Sequence, residues 1–320
     1  ELPKAVHNKR HIMKPNFSMP LRGIVPPLVT PLTDNDTLDA EGLERLIEHV
    51  INGGVQAVFL LGTTGEFASL SYKIREELIK LSCQFVKGRV PVLVGISDSA
   101  FTESLNLANK AAQYGADAVV ITPPYYFESG QPELLEYLKR IMQHMPLPLF
   151  IYNMPVHTKV MFAPETVKAA AEIPGIIGMK DSSANLAYYN KVRYLLKDHP
   201  DFTFMVGPEE ITAEFVLLGG HGGVNGGANM FPKLYVDLYN AAAARDFEKI
   251  EPLQQKVMQI STTIYNVGRF GSSYLKGLKC ALSVMGICND FMAEPFHRFN
   301  DPERKQIERA LEALNYKELM

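Results

Sequence analysis

Lys180 closes the apolar run Ile176-Ile177-Gly178-Met179 and is followed by Asp181-Ser182-Ser183. A lysine at the end of a buried run is an amine held away from water. Burial disfavours the ammonium form, and a neutral amine attacks a ketone to form a Schiff base. At an ordinary pKa of about 10.4, only roughly one amine in a few thousand is neutral at pH 7, so the surroundings decide whether this chemistry runs. A lysine at a strand end more commonly pairs with a carboxylate. Imine chemistry also needs a proton shuttle, and Tyr152 offers a phenol at the end of another apolar run, Leu149–Tyr152. A solitary buried tyrosine is usually a core residue with a satisfied hydroxyl. A tyrosine and a lysine at two neighbouring run ends are a less ordinary pair. Gly62-Thr63-Thr64-Gly65-Glu66 adds two hydroxyls and flexible backbone N–H groups. Such a loop holds a small carboxylate, although the same residues also make an ordinary turn. The glycine-dense stretch 219–227 reads either as a phosphate cradle or as a set of tight turns.

Positioning these groups requires elements with defined ends. From Gly23 onward, short apolar runs alternate with amphipathic stretches. The strand-like runs are Gly23–Val29, Ala57–Leu61, Val90–Val94, Ala118–Thr122, Leu149–Tyr152, Ile176–Lys180, Phe202–Val206 and Gly222–Asn225. Helical patterns fall at Ala40–Ile51, Tyr72–Val86, Thr102–Gln113, Pro132–Met142, Pro164–Ala171, Leu186–Leu196, Glu209–Leu218 and Lys233–Ala244. Asp39 reads as the N-cap of the first of these. The strands are continuous apolar runs, as expected where helices cover both faces of a parallel sheet. Gly23 to Ala244 allots about 28 residues to each unit, which fits a (β/α)8 TIM barrel. Periodicity does not show closure, so an open doubly wound sheet is the competing topology, and the count of eight favours the barrel. Residues 1–22 read as a basic N-terminal tail, 23–244 as the barrel and 245–320 as a C-terminal helical extension packed on it, with helices near 246–265, 270–285 and 302–315. In a barrel the catalytic groups lie at the C-terminal ends of the strands, where each of the motifs above falls.

Composition sets the outer limits. The 320 residues carry 32 Lys and Arg against 35 Asp and Glu, a formal net charge of −3. That balance argues against a nucleic-acid partner, which calls for a basic surface. No apolar run is long enough to span a membrane, and the N-terminus lacks a signal-peptide core. Cys83, Cys280 and Cys288 form no disulfide framework and no metal spacing, so a cytoplasmic location is expected.

Taken together, Gly62-Thr63-Thr64-Gly65-Glu66, Pro124-Tyr125-Tyr126, Tyr152-Asn153-Met154-Pro155 and Gly178-Met179-Lys180-Asp181 resemble, in order and spacing, the dihydrodipicolinate synthase / N-acetylneuraminate lyase family of pyruvate-handling class I aldolases. The resemblance covers about residues 22–299. It implies Lys180 as the Schiff-base lysine and Tyr152 as the acid/base. It further implies Thr64 as the hydroxyl linking Tyr152 to Tyr126, and Thr63 and Thr64 as binders of the pyruvate carboxylate. Family members donate the second tyrosine across a tight dimer interface, so Tyr126 implies a homo-oligomer, commonly a tetramer built as a dimer of dimers. The partners implied are small molecules, pyruvate or another 2-oxo acid with an aldehyde, and the resemblance implies no metal and no organic cofactor.

Substrate choice rests on departures within that resemblance. Dihydrodipicolinate synthases carry Arg two residues after Tyr-Asn-x-Pro, where this chain has His157, and histidine supplies no permanent bidentate fork. Gly207-Pro208-Glu209-Glu210 is more like the sugar-acid lyases, although acids at a helix start are also favoured by the helix dipole. Asn225-Gly226-Gly227 lacks bulk and leaves room for a longer substrate. The expected substrate-binding set is Thr63, Thr64, His157, Gly207, Glu209, Glu210, Val224 and Asn225. The reading is an aldolase for a hydroxylated 2-oxo acid, such as a sialic acid or a 2-keto-3-deoxy acid. The alternatives are dihydrodipicolinate synthase, a phosphate-binding barrel enzyme and a non-catalytic sensor of 2-oxo acids.

Overall fold

A computed structural model describes residues 14–320. Its barrel strands, in chain order, are β1 Gly23–Ile24, β2 Val58–Leu60, β3 Val92–Gly95, β4 Ala118–Ile121, β5 Leu149–Asn153, β6 Ile176–Asp181, β7 Thr203–Val206 and β8 Gly222–Gly223. They form one eight-stranded sheet in which each strand from β2 onward pairs with the next, and β8 pairs with β1. All these pairings are parallel. The sheet closes where Pro27 bridges Phe59: the Leu28 N–H donates to the Phe59 carbonyl at 2.8 Å, and the Phe59 N–H to the Pro26 carbonyl at 3.0 Å. Asn229 ties the seam from the side, its amide donating to the Pro27 and Gly226 carbonyls and accepting from the Val29 N–H. The fold is therefore the closed (β/α)8 barrel and not the open sheet.

Two apolar layers explain why the strands are apolar throughout. Side chains pointing inward, among them Phe59, Leu93, Phe150, Tyr152, Met205 and Val224, fill the barrel. Those pointing outward join the helices in a larger second core. Alternation of side chains along a strand sends each residue to one layer or the other.

The barrel helices are α1 Ala40–Asn52, α2 Tyr72–Val86, α3 Phe101–Tyr114, α4 Gln131–Met142, α5 Pro164–Ala171, α6 Leu186–Leu195, α7 Thr212–Leu217 and α8 Pro232–Ala243. The Asp39 carboxylate caps α1 by accepting from the Gly42 N–H at 2.9 Å. Where a single helix is expected over Glu209–Leu218, a 3-10 turn at Glu209–Ile211 precedes α7. That turn aims the Glu209 side chain inward. Three further helices follow: α9 Phe247–Thr263, α10 Ser273–Val284 and α11 Asp301–Ala313.

Two residues of the expected tail, Phe17 and Leu21, pack against the barrel. Leu21 is buried, its N–H donates to Thr203 Oγ1 at 2.9 Å, and Phe17 packs on the barrel's inner cluster. The chain just before β1 thus covers apolar side chains at the N-terminal end of the barrel. The rest of the tail assignment, residues 1–13, lies outside the described residues. No helix among the described residues is long and apolar enough to cross a membrane, and the three cysteines are unpaired.

Candidate active site

The register of β5 against β6 sets Tyr152 beside Lys180, with Phe150 beside Gly178 one layer below. All four face the barrel interior, whereas Asn153 and Asp181 face outward and bond each other at 2.8 Å. Gly178 is required here, since a Cβ would lie 2.6 Å from the Phe150 ring. Phe150 fills that space and forms the floor beneath the lysine. The Lys180 ammonium lies 4.0 Å from the Tyr152 ring centroid and 5.1 Å from that of Phe59. It is 6% exposed, and none of the ion pairs among the described residues includes it. A buried amine without a carboxylate is the arrangement that imine chemistry needs.

Burial pushes the Tyr152 phenol up. The Lys180 charge and hydrogen bonds with Thr63, Ser182 and Lys180 outweigh that burial and hold it below its ordinary value. Tyr152 OH and Thr63 Oγ1 are 3.3 Å apart. Thr63, not Thr64, is therefore the threonine on Tyr152. Thr64 is buried and its hydroxyl lies 3.1 Å from that of Tyr274 on α10. The expected Tyr152–Thr64–Tyr126 chain does not form within this chain. Successive residues of a tight loop point in different directions, and Tyr126, on the loop after β4, is 76% exposed with its ring against that of Phe127.

The loop that presents Thr63 and Thr64 is pinned from below. Glu66 adopts a left-handed conformation with φ of 57°. Its fully buried carboxylate accepts from Lys279 Nζ at 2.7 Å and from the Ala293 N–H at 2.9 Å. Lys279 also donates to the Thr30 carbonyl at 2.8 Å. The signal for this pair in the sequence is a lone charge inside an apolar helical run, Leu278-Lys279-Cys280-Ala281-Leu282.

The side chains of Glu209 and Glu210, both expected as substrate ligands, meet donors of the protein. The Glu209 carboxylate accepts from the Gly227 N–H at 2.8 Å and from the Tyr235 and Tyr265 hydroxyls at 2.5 and 2.9 Å. Glu210 accepts from Ser261 Oγ on α9 at 2.6 Å. Asn225 is fully buried, its amide donating to Thr212 Oγ1 and to the Gly207 carbonyl, and Val224 belongs to the barrel interior beside Tyr152. Gly207 lies against Ser182, which leaves no room for a Cβ. Gly226 and Gly227 are likewise required by contact, because Tyr274 and Tyr235 hydroxyls occupy the space where Cβ atoms would sit. These two glycines admit tyrosines, an arrangement different from a phosphate cradle. Among the described residues no cluster of His, Cys, Asp and Glu has the makings of a metal site.

Burial raises the Glu209 carboxyl from about 4.5 to about 7, despite its three donors. The folded state therefore binds this proton more tightly than the unfolded chain. Its contribution to stability is fully present below about pH 4.5 and is lost as pH rises through about 7. Glu209→Gln is expected to flatten the fall in melting temperature across that window and to melt higher than the parent at pH 8. Melting curves at a series of pH values measure this.

Thr63 and Tyr274 also line a cavity of about 580 Å³. His157 lines it too, from the short helical turn after β5, with its imidazole held below the ordinary value by partial burial. Barrel and cluster together define a (β/α)8-barrel enzyme with its chemistry at the C-terminal strand ends. The sequence profile of the dihydrodipicolinate synthetase family matches residues 20–314. A solved structure of dihydrodipicolinate synthase from Bacteroides thetaiotaomicron is 64% identical, with a TM-score of 0.91 over 93% of this chain and 100% of that one. The putative 2-dehydro-3-deoxy-D-gluconate aldolase YagE of Escherichia coli K12 is 30% identical over 91% of this chain and 96% of its own. A structure of YagE in complex with pyruvate superposes with a TM-score of 0.87, covering 92% of this chain and 99% of that one. This chain belongs to the dihydrodipicolinate synthetase family, and it is a lyase of that family.

Proposed function

We propose that the protein is a Schiff-base lyase in which Lys180 forms an imine with C2 of pyruvate or another 2-oxo acid and the adjacent C–C bond is made or cleaved. The carrying observation is the buried Lys180 ammonium 4.0 Å from the Tyr152 ring, with no carboxylate paired to it among the described residues. Nζ adds to C2, and the C2 oxygen leaves as water with a proton relayed by Tyr152. The protonated imine then draws electrons. For a 4-hydroxy-2-oxo acid the C4 hydroxyl loses its proton, C3–C4 breaks, an aldehyde leaves, and the electron pair is held as the enamine. Protonation at C3 and hydrolysis of the imine return pyruvate and the free lysine. The lowered Tyr152 phenol supports its role as the relay. Tyr152→Phe is expected to lower kcat by roughly 10²–10⁴-fold with the fold retained, as measured by pyruvate release and circular dichroism.

The test of the reading is borohydride reduction in the presence of pyruvate. Intact mass should rise by pyruvic acid less one oxygen atom, since water leaves and two hydrogens add. The absence of an adduct would overturn the Schiff-base reading, and an adduct without turnover on any aldehyde would mark a sensor. Tyr126, exposed on its loop, is proposed to reach the corresponding site of a second copy, in a tetramer built as a dimer of dimers.

The substrate is a hydroxylated 2-oxo acid. Sialic acids and 2-keto-3-deoxy acids are the polyhydroxylated members of that class, and the name of the E. coli relative favours the latter. Glu209 is engaged by three protein donors, whereas Glu210, bonded on one oxygen by Ser261, is the acid proposed to meet the substrate's hydroxyls. The relative at 64% identity favours a second reading, dihydrodipicolinate synthase. Against it stands His157 in place of the arginine fork. His157→Arg is expected to raise condensation of pyruvate with aspartate semialdehyde by roughly tenfold, the worth of one charge-assisted hydrogen bond. A coupled assay of aspartate semialdehyde consumption measures this.

A further inference from the structure

A second cavity, of about 400 Å³, lies outside the barrel between α6 and the N-terminal ends of β7 and β8. It is at the opposite end of the strands from Lys180. Its lining carries Arg193, Lys197, His199 and His221, and neither aspartate nor glutamate. Glu172 engages His199 at 3.0 Å, and Asp198 and Asp201, on the turn that follows α6, are not on the lining. No ion pair among the described residues includes Arg193 or Lys197. Two permanent cations thus share one cavity without a carboxylate, in a chain whose net charge is −3. The Arg193 guanidinium lies over Gly219, the first residue of the glycine-dense stretch, where a Cβ would come within 2.7 Å of Nη2.

His221 is the informative residue. It is 9% exposed, and its Nδ1 accepts the Phe204 N–H at 2.9 Å. Burial and the charges of Arg22 and Arg193 push the imidazole down to about 4, so the ring is neutral near pH 7. With Nδ1 occupied as an acceptor, the ring hydrogen sits on Nε2. No protein acceptor among the described residues takes that hydrogen. A donor on a nine-tenths buried side chain calls for an acceptor from outside the protein. The end of α6 offers little competition. The Val192 and Arg193 carbonyls accept from the Leu196 N–H, and the Tyr194 carbonyl from the Lys197 N–H.

We propose that this cavity binds a small phosphate monoester, its phosphate held by the Arg193 fork, the Lys197 ammonium and the His221 Nε2–H. A guanidinium, an ammonium and a neutral donor suit a dianion with three terminal oxygens better than a carboxylate with one charge and two oxygens. Leu196, Pro200 and Phe202 supply an apolar side for the carbon chain of the ester. The volume falls within the range of about 300–1,000 Å³ typical of small-molecule sites.

The experiment is calorimetric titration of the full chain with glycerol phosphate, inorganic phosphate and glycerol, with pyruvate at saturation to keep anions from Lys180. Glycerol phosphate should bind with a Kd of about 1 mM or tighter, inorganic phosphate more weakly, and glycerol not at all. Arg193→Ala, at an exposed position, should weaken the ester by at least about tenfold, and Lys197→Ala by several-fold. In proton NMR the His221 imidazole should titrate at higher pH once the ester is bound, because the anion offsets the field of the two arginines. Three results would overturn the proposal: no binding of the ester, unchanged binding in Arg193→Ala, or a His221 titration indifferent to the ester. Tighter binding of inorganic phosphate than of the ester would assign the site to the free ion instead. Size-exclusion chromatography of ligand-free Arg193→Ala supplies the last arm. A changed assembly size would give these cations to a subunit interface and overturn the ligand site, and an unchanged size supports it.

Discussion

Lys180→Met should abolish borohydride trapping and lower turnover by about 10⁴-fold or more, the scale seen when a covalent nucleophile is removed. The variant should still fold. Methionine is unbranched and adaptable enough to fill the space over Phe150 between Tyr152 and Phe59. It also removes a buried cation that has no carboxylate partner among the described residues, so the melting temperature should hold or rise. The decisive control is the second buried amine. Lys279 is fully buried too, but its ammonium is engaged by Glu66 and the Thr30 carbonyl. Peptide mapping of the parent adduct should place the added mass on Lys180 and leave Lys279 unmodified. An adduct that persists in Lys180→Met would move the imine to another residue.

Lys279→Met should cost about 3–5 kcal/mol, because it leaves the Glu66 carboxylate buried and uncompensated. The pair connects two distant parts of the chain, the loop after β2 and helix α10. It also holds Glu66 in a left-handed backbone conformation, which by itself costs about 1–3 kcal/mol. Releasing Glu66 frees the loop that carries Thr63 and Thr64, so kcat per folded molecule should fall along with stability. Adding Glu66→Gln to Lys279→Met should recover part of the loss, since a neutral amide is cheaper to bury than an unpaired carboxylate. Urea unfolding of the two single variants and the double variant measures the coupling. Additive losses would show that the pair is not the clamp.

The meeting of Tyr152 and Lys180 is legible in the sequence. Both end apolar runs, and consecutive strands of a parallel barrel lie side by side with their C-terminal ends level. The start of α1 is legible for a similar local reason, since the Asp39 side chain bonds a backbone group three residues on. The threonine on Tyr152 is not legible in this way, and the expected residue is one position out. Whether Thr63 or Thr64 faces Tyr152 depends on the twist of a short loop, and that twist is set by Glu66 and its partner 213 residues away. Tyr274 and Lys279 escape sequence reasoning because they sit on a helix beyond the barrel, and nothing near them in the chain points to Thr64 or Glu66.

Residue type and short-range spacing suffice for the eight-fold alternation, for the amine and phenol at neighbouring strand ends, and for the histidine where a synthase carries arginine. Burial periodicity transmits those features directly. Where the acids point is a matter of packing alone. The donors that engage the Glu209 and Glu210 side chains lie 18 to 56 residues away in sequence, so their aim follows from the seating of α8 and α9 against the barrel. The cavity beside Thr63 is likewise a product of the folded chain, since its lining comes from separate segments that only the fold brings together.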